Sequence, residues 1–189
     1  IRDTAQYNRE LFNLEQVDVL RGAAAMLFGR GQAGGVINQV SKTPMLYGIN
    51  KAGVGVGSDG YFEAKADFNQ RIGETSAIRL NMMSRDEDSV RSNPVTGTTP
   101  EVHRQGFAPS VAFGLGTAHE ITLSHLWVQT NDRMDYGVPF NTSAHKPESK
   151  YGESKAYWGV NGNFDESETN ISTLNYLFTI APDTQWRTA

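Results

Sequence analysis

The chain contains no cysteine, which excludes a disulfide framework, a thiolate nucleophile and any cysteine-ligated metal. It also lacks a long apolar run. The longest, Ala23 to Phe28, falls far short of the ~18–20 residues a membrane-spanning helix needs. A β-barrel stays open, because a transmembrane strand takes only about 9–11 residues and every second one can be polar. There is no surplus of positive charge: 17 Lys and Arg stand against 21 Asp and Glu, a net charge of −4. Without a basic stripe, nucleic acid is not an expected partner. His103, His119, His125 and His145 have no ligand spacing, so no protein metal site is expected. No nucleophile elbow of the G-x-S-x-G kind occurs, and no enzyme is expected. Asp86-Glu87-Asp88 and Asp165-Glu166-Ser167-Glu168 lack the spacing of a calcium loop and read as solvated loop acids. Ile1 follows no Met and no signal peptide is visible, so the chain reads as a fragment of a mature protein.

What the sequence has is period-2 alternation. From Tyr61 to Ile72, Phe62, Ala64, Ala66, Phe68 and Gln70 fall on one face, and Glu63, Lys65, Asp67, Asn69 and Arg71 on the other. Such a segment suits a strand with lipid or core on one side and water on the other. Gly48–Gly57 reads as an earlier strand. Ala77–Arg85, Arg104–Gly114 and Thr169–Ala181 alternate in the same way, with Ile78, Leu80 and Met82, then Phe107, Pro109, Val111 and Phe113, then Leu174, Tyr176, Phe178 and Ile180 sharing faces. His119–Thr130 is strand-like with an ambiguous face, since Ile121, Leu123 and Trp127 compete with Leu126 and Val128. Asn8–Leu14 suits a short helix or turn. Connections at 58–60, 73–75, 116–118 and 181–184 are short and those at 86–103 and 132–168 are long, which fits the short-turn, long-loop alternation of outer-membrane barrels except at 58–60.

The most informative stretch is VDVLRGAAAMLFGRGQAGGVINQVSKTP, Val17 to Pro44. Within it Gly29–Gly34 fits G-x-G-x-x-G, but a dinucleotide site needs a helix next. Val36, Ile37 and Val40 favour a strand instead, so the glycines serve a tight turn. Taken in order, the block resembles the end of the plug domain of TonB-dependent outer-membrane receptors, with Ala23 and Phe28 in place of the family's usual Pro and Tyr. Asp135-Tyr136-Gly137-Val138-Pro139-Phe140 is similar to a stretch after an early barrel strand in siderophore receptors, and Asp165–Thr169 to their return into the barrel.

This resemblance implies a mainly β fold: an antiparallel transmembrane β-barrel segment preceded by the C-terminal part of an α+β plug domain. Residues 1–45 would be the plug end. Residues 46–189 would be the first six barrel strands, with a seventh starting at Trp186. It implies a ferric siderophore as ligand, TonB and its inner-membrane energising proteins as partners, outer-membrane lipid around the barrel, and a bacterial outer-membrane location. Iron would arrive inside the ligand, so no cofactor is expected. Phe28, Arg30 and Gln32 in the plug turn, with Tyr136, Tyr151, Tyr157 and Trp158 from the outer loop, are the implied ligand contacts. Arg21 would hold plug to barrel through a carboxylate outside this segment. A receptor for another nutrient, such as a cobalamin or an oligosaccharide, is the rival within the family. A soluble β-sandwich binding module is the rival outside it.

Overall fold

The computed structural model describes residues 10–21, 35–138, 140–147, 155–157, 159 and 162–189. The chain enters through a turn in which the Leu14 N–H donates to the Leu11 carbonyl at 3.0 Å. It then forms β1 (Leu14–Arg21) and β2 (Gly35–Ser41), an antiparallel pair. Gly35, at φ +140, opens β2 where a Cβ would lie 2.5 Å from the Leu20 carbonyl oxygen, so only glycine fits there.

The main body is one antiparallel sheet. Its strands are β3 (Ile49–Val56), β4 (Phe62–Arg71), β5 (Ala77–Asp88), β6 (Glu101–Phe113), β7 (His119–Arg133), β10 (Asp165–Ala181) and β11 (Thr184–Thr188), each beside its predecessor in that order. Two-residue strands β8 (Phe140–Asn141) and β9 (Lys146–Pro147) pair within the 134–164 connection. Tight turns close one end of the sheet; the 89–100 and 134–164 connections occupy the other. The short turn at 58–60 sits at the long-loop end, where the Asp88 N–H donates to the Asp59 carbonyl at 2.8 Å. The one connection that broke the length alternation is thus on the expected side.

Four strands run further than the alternation predicted. Asp86–Asp88 end β5, Glu101–His103 begin β6, Asn131–Arg133 end β7 and Asp165–Glu168 begin β10. The expected loop acids are therefore strand residues. Apolar alternation marks only the apolar middle of a strand, whereas the ladder continues through polar residues such as Asp86, which is in register with His103 and whose Oδ1 lies 2.7 Å from the His103 Nδ1. In β6 the ladder to β7 lapses at Ala108 and Pro109, as follows from a residue with no N–H to donate.

The burial of the sheet is inverted relative to a water-soluble protein. Ile78, Leu123 and Leu174 are 44%, 46% and 53% exposed, while Asn69 and Asn81 are 0% and Arg79 3% exposed. The polar face was expected to meet water, but its centre is covered by residues 10–15 and 42–47 of the same chain. The ambiguity of β7 resolves the same way. Ile121 and Leu123 lie on the exposed apolar face, and Leu126 and Val128 pack beneath Phe12 with Met83 and Ala108.

Phe12 fills a niche that exists because residue 106 is glycine: a Cβ there would stand 2.5 Å from the Phe12 ring. Gly106→Leu is expected to expel Phe12. Phe12→Ala is expected to cost about 3–5 kcal/mol through the cavity it leaves, and Phe12→Leu clearly less. Thermal unfolding of the full-length protein in detergent checks all three.

Candidate functional site

The first functional surface is the join between the leading segment and the polar face of the sheet. Strand alternation places Asp67 and Asn69 of β4 and Arg79 and Asn81 of β5 on that face. Arg79 grips Asp67 with two parallel bonds, Nε to Oδ1 and Nη2 to Oδ2, both 2.9 Å. The leading segment completes the cluster. Lys42 Nζ lies 3.1 Å from Asp67 and donates to Asn81 Oδ1 at 3.0 Å and the Phe12 carbonyl at 2.8 Å. Arg79 also reaches the Thr43 carbonyl at 2.9 Å and Glu15 at 3.2 Å. Asn69 donates to the carbonyls of Met45 and Tyr47 and accepts from the Met45 N–H. Further along, Arg104 joins Asp132 of β7 at 2.6 Å to Glu10 at 2.8 Å. Every buried charge here is paired, as burial demands.

The second surface is the long-loop end. Asp135 Oδ1 accepts the Gly137 N–H at 2.7 Å, a tight Asx-type turn with Gly137 at φ +75. Its Oδ2 accepts from Arg91 at 2.7 Å and Ser89 at 3.1 Å. Burial pushes the Asp135 carboxyl up, but the Gly137 N–H, Arg91 and Ser89 outweigh it and hold the group below its ordinary 3.8. Tyr136, between the two turn residues, is exposed.

The sequence-derived residues fall unevenly on this frame. Phe28, Arg30, Gln32, Tyr151 and Trp158 lie outside the described residues. Tyr136 is at the loop end. Tyr157 is there too, but it is 1% exposed and its hydroxyl has no partner among the described residues. Arg21 is exposed at the end of β1 and makes no ion pair among the described residues. The cations that tie the two parts together are Lys42, Arg79 and Arg104. Alternation had put Asp67, Asn69, Arg79 and Asn81 on the polar face, but nothing local signals that Lys42 and Phe12 cover them.

An antiparallel sheet with exposed apolar residues on one face, and a chain segment docked on its polar face, has the sidedness that a membrane β-sheet requires. No family model matches the chain. It is 32% identical over 198 residues to the catecholate siderophore receptor Fiu of Escherichia coli K12, covering 99% of this chain and 25% of Fiu. It is 35% identical over 179 residues to the probable TonB-dependent siderophore receptor PiuA of Acinetobacter baumannii, covering 92% of this chain and 23% of PiuA. The closed-form crystal structure of Fiu superposes with a TM-score of 0.84 at 33% identity, covering 99% of this chain and 27% of that one. The PiuA crystal structure gives 0.81 at 31% identity, over 96% and 26%. The chain is thus homologous along nearly its whole length to TonB-dependent siderophore receptors of the bacterial outer membrane, and spans about a quarter of the relatives it matches.

Asp67→Ala would leave Arg79 and Lys42 buried without their shared carboxylate. It is expected to lower stability by about 3–5 kcal/mol, read as an earlier denaturant midpoint and faster proteolysis within residues 10–47. Asp135 behaves as a depressed carboxylate, whose contribution is complete above 3.8 and lost as pH falls through the lower folded-state value. The Asp135 contacts to Arg91, Ser89 and Gly137 are therefore expected to be unchanged between about pH 8 and 5, checked by proteolysis next to residue 135 across that range.

Proposed function

We propose that this chain is part of a TonB-dependent outer-membrane receptor that imports a ferric siderophore, with residues 1–45 the end of its plug and 46–189 the first strands of its barrel. The observation that carries the reading is the inverted sheet. Its apolar residues face outward, and ion pairs from Asp67, Arg79 and Arg104 bind the polar face to the leading segment. On β6, outward positions Phe107 to Phe113 span about 20 Å at ~3.3 Å per residue, the order of the ~25 Å band of a barrel wall. Aromatic residues border that band. Trp127 donates to Glu168 at 3.3 Å toward the loop end. At the turn end, His119 stacks on Phe178 with centroids 4.5 Å apart, and Tyr176 meets Trp186 edge-on at 5.8 Å. A soluble sandwich would cover the apolar face with a second sheet; among the described residues nothing covers it.

The relatives named for catecholate siderophores support a ferric catecholate as ligand. Three catecholate dianions around iron(III) leave an aromatic trianion. Arg30 would supply charge-assisted bonds to it. Tyr136, held out on a pinned turn, would supply an aromatic face and a hydroxyl; Phe28, Gln32, Tyr151 and Trp158 complete the proposed set. Iron enters as cargo, so the protein needs no cofactor and carries out no bond-breaking chemistry. TonB, energised from the inner membrane, would act on the plug, while the ion pairs at Lys42, Arg79 and Arg104 join its end to the wall.

Uptake of radiolabelled ferric catecholate by cells with and without the full-length gene tests this. Loss on deletion, restored by the intact gene, is expected. Unchanged iron uptake with loss of cobalamin or oligosaccharide uptake would favour the rival nutrient. Tyr136→Ala is expected to weaken ferric-catecholate binding about tenfold, some 1.4 kcal/mol, without moving the thermal midpoint; quenching titrations of the purified receptor check it.

A further inference from the structure

We propose that the two connections 89–100 and 134–164 are clasped into a single body by Asp135, so that the extracellular face presents one unit rather than two independent loops. The proposal rests on the receptor reading only for which side is extracellular. Contacts between the two connections follow one another along both. Ser89 and Arg91 meet Asp135. Ser92 then forms a parallel bridge with Ala156, its N–H donating to the Lys155 carbonyl and its carbonyl accepting from the Tyr157 N–H, both at 3.1 Å. Asn93 Nδ2 donates to the Gly159 carbonyl at 2.9 Å.

The first connection is braced to receive these contacts. Asn93 Oδ1 accepts the N–H groups of Val95 and Thr96. The Asn93 N–H donates to the Thr98 carbonyl and the Gly97 N–H to the Asn93 carbonyl, both at 2.8 Å. Arg133, at the end of β7, reaches back to the Thr99 carbonyl at 3.0 Å and to Glu101 at 3.0 Å. An exposed ion pair alone is weak. Here Arg91–Asp135 is the first of three linked contacts, each raising the effective concentration of the next. Tyr157 is buried at the junction, and Gly159 must be glycine there because a Cβ would collide with the Tyr157 hydroxyl.

Asp135 is therefore a positioning residue. Its carboxylate does three jobs at once: it closes the turn that carries Tyr136, takes the charge of Arg91 and accepts from Ser89. A ligand touching Tyr136 would meet a contact whose place is fixed in part by a loop more than forty residues earlier in the chain.

The test is a distance distribution between spin labels at Val95→Cys and Ala144→Cys in the full-length receptor in outer-membrane vesicles. A narrow distribution is expected. Asp135→Ala and Arg91→Ala should each broaden it. Asn93→Ala, at the far end of the clasp, should broaden it as well. A broad wild-type distribution would overturn the proposal, and so would a narrow one indifferent to Asp135→Ala. Ferric tris-catecholate should leave the distribution unchanged while binding, and a shift in separation on binding would show two bodies. Failure of that ligand to bind counts against the ferric-catecholate reading, while the ligand-free comparison still decides the clasp.

Discussion

Asp67 sits where three parts of the chain converge, and its carboxylate answers two cations at once. Arg79 arrives from the adjacent strand and Lys42 from the segment after β2. Charges this deep are tolerated only when paired and hydrogen-bonded. Placing Asp67 and Arg79 on the polar face therefore commits that face to a cover able to supply Lys42, the Thr43 carbonyl and Glu15. The packing of Phe12 over Gly106 and the Glu10–Arg104–Asp132 chain extend the same cover along the sheet. With polar groups buried under the chain's own leading segment, the apolar residues are left to the other side. That side can be stable only against an apolar surrounding.

The same division explains what could be read from the sequence. The alternation from Tyr61 to Ile72 gave β4 and both of its faces, and Val36, Ile37 and Val40 marked β2 as a strand. Strand ends were harder, because Asp86–Asp88 and Asp165–Glu168 pair through backbone bonds with no apolar signal. Leu126 and Val128 confused the face of β7 for a tertiary reason. They are apolar on the polar side because Phe12, more than a hundred residues earlier, rests there. Alternation also cannot tell a polar face that meets water from one that meets another segment's carbonyls and cations. Lys42 was visible only as part of Ser41–Pro44, and its three partners are 25 to 39 residues away or on the turn before β1.

At the loop end the Asp135–Phe140 block carried resemblance without mechanism. Its geometry supplies one: Asp135 is spent on a turn and a loop-to-loop contact, while Tyr136 is left exposed. Tyr157, implied by the resemblance as a ligand contact, is 1% exposed. An aromatic residue in a loop can present a surface or hold one together, and burial decides which.

The whole architecture depends on the sidedness of the sheet: apolar face to lipid, polar face to the chain's own leading segment. Single reporter labels at Leu123→Cys, Leu174→Cys and Thr130→Cys in the full-length protein, in native outer membranes, test it most directly. Labels at 123 and 174 should be quenched by a lipid-dissolved quencher and spared by a water-soluble one, while the label at 130 is spared by the lipid-dissolved quencher. Quenching at 123 and 174 by the water-soluble agent alone would contradict the account.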